Sequence, residues 1–277
     1  MTSTVPIQRW KNGRLQAPVD DQLAIEEPLE VRVEGRSIAV VMRTPGHDRE
    51  LAAGFLLTEG VIKSARDLFD ITTCVAPAGA GKGNAVDAAL VRPDSAELDK
   101  LTRHVFTSSS CGVCSKATIE SVIKRRRPLE DDVRISAKVL LALPRRLSAA
   151  QEDFKTTGGL HACALFDAEG TLLAAREDVG RHNALDKLIG WALLEKRTPL
   201  AGHIVLLSGR VSFEMMQKAH AAGIPVVAAI SAPTSLAVDF ATESGQTLAG
   251  FVRGSSLNLY AGAARISLRT ERARKKS

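Results

Sequence analysis

The sequence predicts an α/β protein built on a largely parallel or mixed, buried sheet. Short, wholly apolar runs at residues 204–207 and 226–230 have the composition of strands covered on both faces. Stretches with helical spacing lie between such runs, and the two kinds of segment alternate through the second half of the chain. With 277 residues, 45% hydrophobic and only 4% aromatic, the chain is long enough to bury a sizeable core of Leu, Val, Ile and Ala.

The opening through about Asp20 is polar and reads as loose. Residues 29–33 alternate with period two, Glu34-Gly35 supplies a turn, and residues 37–42 return as the second strand of a hairpin. After Thr44-Pro45-Gly46-His47, Asp48 is placed to cap a helix carrying Leu51, Phe55 and Leu56, which Gly60 ends. Residues 76–84 read as a loop and 86–91 as a strand. Helical sequence at 136–143 is interrupted by Pro144 and resumes to about Phe154. Residues 160–166 and 171–175 read as a strand pair turning at Asp167-Ala168-Glu169-Gly170. A helix carrying Leu185, Leu188, Ile189 and Ala192 follows, then strand 204–207, helix 213–222, strand 226–230, helix 236–243 and strand 247–251. The chain therefore divides into a smaller N-terminal α+β region over 20–135 and an α/β region over 136–265, with 1–19 and 266–277 as loose termini.

Cys111-Gly112-Val113-Cys114 stands between Ser108-Ser109-Ser110 and a helix-prone stretch ending in Lys124-Arg125-Arg126-Arg127. Two thiols at a helix mouth feel its partial positive charge and free N–H groups, which lower a thiol pKa and populate the nucleophilic thiolate. The same spacing also fits half a zinc site or an unreactive pair, although Cys74 is remote and Cys163 sits inside an apolar strand. A dithiol oxidoreductase and a zinc-stabilised binding protein are thus the competing classes. Residues 107–114 are small and polar, as in a mobile loop that carries chemistry.

Four cysteines, with no N-terminal apolar signal segment and no apolar run near the roughly 18 residues that span a bilayer, point to a reducing cytoplasm and no membrane partner. The net charge of +6 is concentrated in residues 124–127 and the tail 269–276. Stacking aromatics and helix-turn-helix or finger signatures are missing, so no nucleic-acid partner is expected.

Four polar segments occupy the exits of apolar strands: Glu177-Asp178-Val179-Gly180-Arg181-His182-Asn183, Ser208-Gly209-Arg210-Val211-Ser212, Ser231-Ala232-Pro233-Thr234-Ser235 and Arg253-Gly254-Ser255-Ser256. That edge of an open α/β sheet is where ligands bind, and glycines, hydroxyls and arginines suit a large phosphorylated one. The candidate contacts are Arg181, Ser208, Gly209, Arg210, Ser231 and Arg253. Walker and Rossmann glycine patterns are missing, which disfavours simple NTP hydrolysis or nicotinamide binding.

The stretches Arg43-Thr44-Pro45-Gly46-His47-Asp48, Gly54-Phe55-Leu56-Leu57-Thr58-Glu59-Gly60, Ser110-Cys111-Gly112-Val113-Cys114, Thr157-Gly158-Gly159-Leu160-His161, 176–187, 207–215 and 231–236 together resemble the formate dehydrogenase accessory sulfurtransferase family, over about residues 20–260. Ser115 departs from the pattern, where glycine is usual, and so does the basic tail; neither removes a thiol. The resemblance implies a cytidine-deaminase-like three-layer sandwich with a mixed sheet, without the deaminase glutamate or complete zinc site, since the counterparts read His161-Ala162-Cys163 and Ser110-Cys111-Gly112-Val113-Cys114. It implies a cytoplasmic homodimer that accepts persulfide sulfur from a cysteine desulfurase and passes it to the molybdenum cofactor, as bis-molybdopterin guanine dinucleotide, for formate dehydrogenase. On that reading Cys111 bears the persulfide and Cys114 assists. Phe251, Val252, Arg253, Gly254, Ser255 and Ser256 contact the cofactor, GDP is a fragment ligand, and no resident metal is needed.

Overall fold

The computed structural model describes residues 1–74, 84–93 and 127–267. The opening that reads as loose is a two-stranded ribbon: β1 (Thr2–Ile7), β2 (Trp10–Lys11), β3 (Arg14–Leu15) and β4 (Val19–Ala24), in which β1 pairs antiparallel with β4 and β2 with β3. Its tip is Asn12-Gly13, with φ of 52° and 76°. Two consecutive left-handed residues make the turn whose twist matches paired strands, and Asn-Gly is the sequence that favours it.

Beyond the ribbon, β5 (Glu27–Val33) and β6 (Arg36–Arg43) form the expected hairpin about Glu34-Gly35, both at positive φ. Helix α1 (Asp48–Thr58) follows. Asp48 does not cap it. The N-cap is His47 in the left-handed region, without a side-chain cap bond, because the Asp48 carboxylate is held by the Arg43 guanidinium at 2.9 and 3.0 Å. β7 (Leu68–Cys74) and β8 (Ala85–Leu90) complete a four-stranded sheet of order β6-β5-β8-β7.

After β9 (Ile135–Ser136), helix α2 (Ala137–Ala150) continues past Pro144 as one helix. A helix-interior proline costs about 3 kcal/mol. Leu140, Leu143 and Leu147 are fully buried on one face, and burying three leucines contributes about 5–9 kcal/mol, which outweighs it. The short helix α3 (Glu152–Thr157) leads to β10 (His161–Phe166), β11 (Leu172–Asp178), helix α4 (Arg181–Leu194), β12 (Ile204–Leu207), helix α5 (Phe213–Ala221), β13 (Val226–Ala229), helix α6 (Ser235–Glu243), β14 (Thr247–Arg253) and β15 (Ser256–Ala261). β16 (Ile266–Ser267) returns to pair with β9.

The central sheet has order β11-β10-β12-β13-β14-β15, parallel at β12-β13-β14 and antiparallel elsewhere. Its side chains alternate between two cores. Cys163, Leu165, Val205, Leu207, Val227 and Ala229 face the core shared with α1, α4, α5 and α6, whereas Ala162, Ala164, Phe166, Leu206, Val226 and Ala228 face the core closed by α2. The α/β class and mixed buried sheet are those the sequence predicts, and nothing in the arrangement conflicts with a deaminase-like sandwich. The first core continues through α1 into Leu29, Val31 and Val33 of β5, so the N-terminal sheet packs on the helix layer.

Candidate functional site

Two polar assemblies lie in the segments singled out by sequence. The first is a seam between α1 and α4. Gly54 and Gly190 bring the two helix backbones together: a Cβ added at Gly54 would stand 1.9 Å from the Asp186 carbonyl oxygen, and one at Gly190 would stand 1.7 Å from that of Glu50. Around this contact the charges are buried in pairs. Asp178 is fully buried and receives hydrogen bonds from the N–H groups of Thr44 (3.1 Å) and Gly180 (2.8 Å) and from Asn183 Nδ2 (3.0 Å), with Lys187 Nζ at 2.7 Å. Lys187 also donates to the Thr44 carbonyl oxygen at 2.8 Å. The 43–48 and 176–187 segments are therefore one network, distant in sequence and locked in space.

At the other end of the seam Lys218 of α5 reaches Asp186 at 2.8 and 3.0 Å and donates to Thr58 Oγ1 at 2.9 Å. Burial alone would pull the Lys218 ammonium down, but the charges of Asp186 and Glu59 hold it above the ordinary lysine range. Glu50 behaves in the same way with the opposite sign. Burial would raise its carboxyl, yet the hydrogen bonds from Arg176 and His47 bring it down to about 2. Beside this pair is a cavity of about 270 Å³ whose lining includes Thr44, Gly46, His47, Arg176, Glu177 and Lys187.

The second assembly is the strand-end edge. β11, β12, β13 and β14 all finish there, and β10, antiparallel to β11 and β12, begins there with His161 opposite Asp178. The four loops are stitched together. Ser208 Oγ accepts from the Ala162 N–H at 2.9 Å; the Val211 N–H donates to the Ala232 carbonyl at 3.1 Å and the Thr234 N–H to the Val211 carbonyl at 2.9 Å; the Phe251 N–H donates to the Ser231 carbonyl at 3.1 Å. Gly209 packs against His161 and Arg181, where an added Cβ would be 3.2 Å from His161 Nδ1 and 3.9 Å from Arg181 Cβ.

The structure thus brings the loops bearing Arg181, Ser208, Gly209, Arg210 and Ser231 to one edge, with the 251–256 segment joined to it through Ser231. Arg210, Arg253, Gly254, Ser255 and Ser256 are exposed, while Phe251 is half-buried with φ of 50° inside a register shift of the β14–β15 pair. The Arg253 guanidinium lies 5.2 Å over the Phe251 ring. Val252 differs from its neighbours, because its side chain is fully buried in the core beneath the sheet. Burial, then the charges of Arg181, His182 and Arg210, push His161 below the ordinary imidazole range. The edge is electropositive at this point.

The sequence places His182 and Ser212 in the strand-exit segments without marking either as a contact, and gives Glu214 no role; all three share the edge. His182 Nε2 is 2.7 Å from Glu214 Oε2, with both side chains largely buried. The signal was the doublet Arg181-His182 opening one helix and Ser212-Phe213-Glu214 opening another. Of the thiols, Cys163 is buried, and burial first, then Asp186 and Asp178, raise it beyond the ordinary thiol range; Cys74 is half-buried. Cys111, Cys114, the 107–114 loop, the basic run through 126 and the 269–276 tail lie outside the described residues.

A family model described as FdhD/NarQ family matches residues 24–267. The chain belongs to the FdhD/NarQ family. Curated relatives named sulfur carrier protein FdhD include one from Mycolicibacterium paratuberculosis, 53% identical over 89% of this chain and 92% of its own. Another is from Streptomyces coelicolor, 52% identical over 90% of each. One from Mycobacterium tuberculosis is 49% identical over 89% of this chain and 92% of its own. Among solved structures, one described as a formate dehydrogenase accessory protein from Desulfotalea psychrophila superposes with a TM-score of 0.76 at 26% identity, covering 96% of this chain and 99% of that one. The FdhD/NarQ match spans both the seam and the strand-end edge. Among the described residues, no helix is long and apolar enough to cross a membrane.

Proposed function

We propose that this FdhD/NarQ protein is a sulfurtransferase of the carrier type, acting as a cytoplasmic homodimer in support of formate dehydrogenase. The Cys111 thiolate attacks the outer sulfur of a cysteine desulfurase persulfide. A new sulfur–sulfur bond forms at Cys111, the desulfurase thiolate leaves, and Cys111 holds the persulfide. The sulfur is then delivered to the molybdenum cofactor, as bis-molybdopterin guanine dinucleotide, before it enters the dehydrogenase. That cofactor is cargo, presented to the strand-end edge by its phosphates and guanines. Phe251, Arg253, Gly254, Ser255 and Ser256, with Val252 contributing backbone, would contact it beside Arg181, Ser208, Gly209, Arg210 and Ser231.

The observation that carries this reading is identity of 49–53% over about nine-tenths of the chain to proteins named sulfur carriers. The electropositive edge supports the cargo assignment, because hydroxyl, glycine and arginine loops at strand ends suit phosphate. Mass spectrometry after incubation with a cysteine desulfurase and cysteine tests the carrier step. Added sulfur should appear on Cys111, disappear in Cys111→Ala and persist at least in part in Cys114→Ala. Equal loading of Cys111→Ala and wild type would remove the carrier.

A further inference from the structure

Two helix N-termini face one another at the strand-end edge, and both lack a side-chain cap. Gly180 precedes α4 and has no side chain to offer; Ser212 precedes α5, yet its hydroxyl makes no cap bond. Helix α6, with its N-terminus on the same edge, is built conventionally: Thr234 Oγ1 accepts from the Ala237 N–H at 3.3 Å. The contact between His182 of α4 and Glu214 of α5, 2.7 Å apart, fixes how closely the two uncapped ends approach.

Unsatisfied side-chain donors cluster at the same place. Arg181 Nε, Ser212 Oγ and both ring nitrogens of His182 are buried without a hydrogen-bond partner among the described residues. His182 is only 4% exposed, and its short approach to Glu214 is not aligned as an N–H···O bond. A buried polar atom left unpaired costs about 1–3 kcal/mol. Several at one point mark a place that expects a ligand rich in acceptors. Charge favours an anion there: Arg181, His182 and Arg210 all act on His161 at this edge, and Asp178, which acts in the opposite sense, is paired with Lys187.

We infer that the facing N-termini of α4 and α5 form a subsite for one phosphate or pyrophosphate group, bound by Arg181 Nε, Ser212 Oγ and the His182 ring, with Glu214 as the positioning residue for that ring. The inference rests on the cofactor-carrier reading and refines it. Arg253 and the 251–256 turn lie on a different strand, so the phosphate and guanine parts of a nucleotide would be held by separate elements.

Calorimetry with pyrophosphate, GDP and guanosine on the full chain tests this. Ser212→Ala, which removes one hydroxyl and no cap, should weaken pyrophosphate and GDP by about two- to tenfold and leave guanosine unchanged. His182→Gln should weaken both by tenfold or more, and in the wild-type protein pyrophosphate should shift a histidine ring resonance that is lost in that variant. Unchanged pyrophosphate affinity in a folded Ser212→Ala, or no shifted histidine resonance, overturns the subsite. If Arg253→Ala still weakens GDP in that case, the cofactor reading stands without it. If wild type binds neither GDP nor pyrophosphate, both fall, while sulfur loading at Cys111 continues to report on the carrier step alone.

Discussion

Helix α4 carries two regions of opposite character, and the contrast separates what the family motifs do. From Asn183 to Gly190 its polar residues are satisfied. Asn183 bonds Asp178 and the Met42 carbonyl, Asp186 meets Lys218, and Lys187 meets Asp178. In the two residues just before, Arg181 Nε and both His182 nitrogens have no hydrogen-bond partner among the described residues. Similar residue types therefore hold the protein together at one end of the helix and wait for something else at the other. Charged residues in a shared sequence pattern do not by themselves mark a binding site; the informative property is whether their hydrogen bonds are spoken for.

If the seam is structural, breaking it should cost stability and leave nucleotide binding alone. The largest effect is expected for Lys218→Ala, which leaves Asp186 buried without its cation: a loss of about 3–5 kcal/mol in urea unfolding, largely recovered when Asp186 is also made apolar. Next is Gly190→Ala. The atom it meets is a backbone oxygen that cannot rotate away, so the helices must separate, at a cost of about 3 kcal/mol, the upper end for overpacking.

A smaller effect comes from Glu50. Its folded pKa of about 2 lies below the unfolded value, so its stabilisation is fully present above about pH 4.5 and is lost as the pH falls toward 2. Partial exposure of the Arg176–Glu50 pair screens it, leaving about 1–2 kcal/mol. Glu50→Gln should flatten that part of the acid-stability profile; an unchanged acid slope would remove the pair from the seam's energetics.

Arg253→Ala sharpens the comparison from the other side. The residue is exposed and outside the seam, so stability should change by no more than about 0.5 kcal/mol. GDP affinity should fall by about tenfold or more, the scale of a lost charge-assisted contact, with sulfur loading intact. A melting temperature that drops while GDP binding holds would reverse the assignment.

Much of this architecture was legible in the sequence. Strands β12, β13 and β14 are short apolar runs, and Leu185, Leu188, Ile189 and Ala192 announce α4 by spacing alone. The errors have physical causes. Pro144 usually breaks a helix, but the buried leucines on either side of it override the local rule. Asp48 looks like a cap until Arg43, five residues earlier, claims its carboxylate. The Asn12-Gly13 turn was overlooked because the segment around it is too polar to show alternation. The strand-exit loops were recognisable because apolar strands end in glycine, serine and arginine. The part played by His182, Ser212 and Glu214 within or beside those loops was not, since a serine before a helix reads as a cap and only its hydrogen bonds show otherwise. Pairings such as Lys218 with Thr58 and Asp186 cross long stretches of chain, and periodicity carries no trace of them.

Cys163 lends the molecule an internal stopwatch. Its sulfur sits in the core, 1% exposed, with its ionisation suppressed, so an alkylating reagent can reach it only when the central sheet opens. Labelling of Cys163, followed apart from the other three cysteines, then times unfolding.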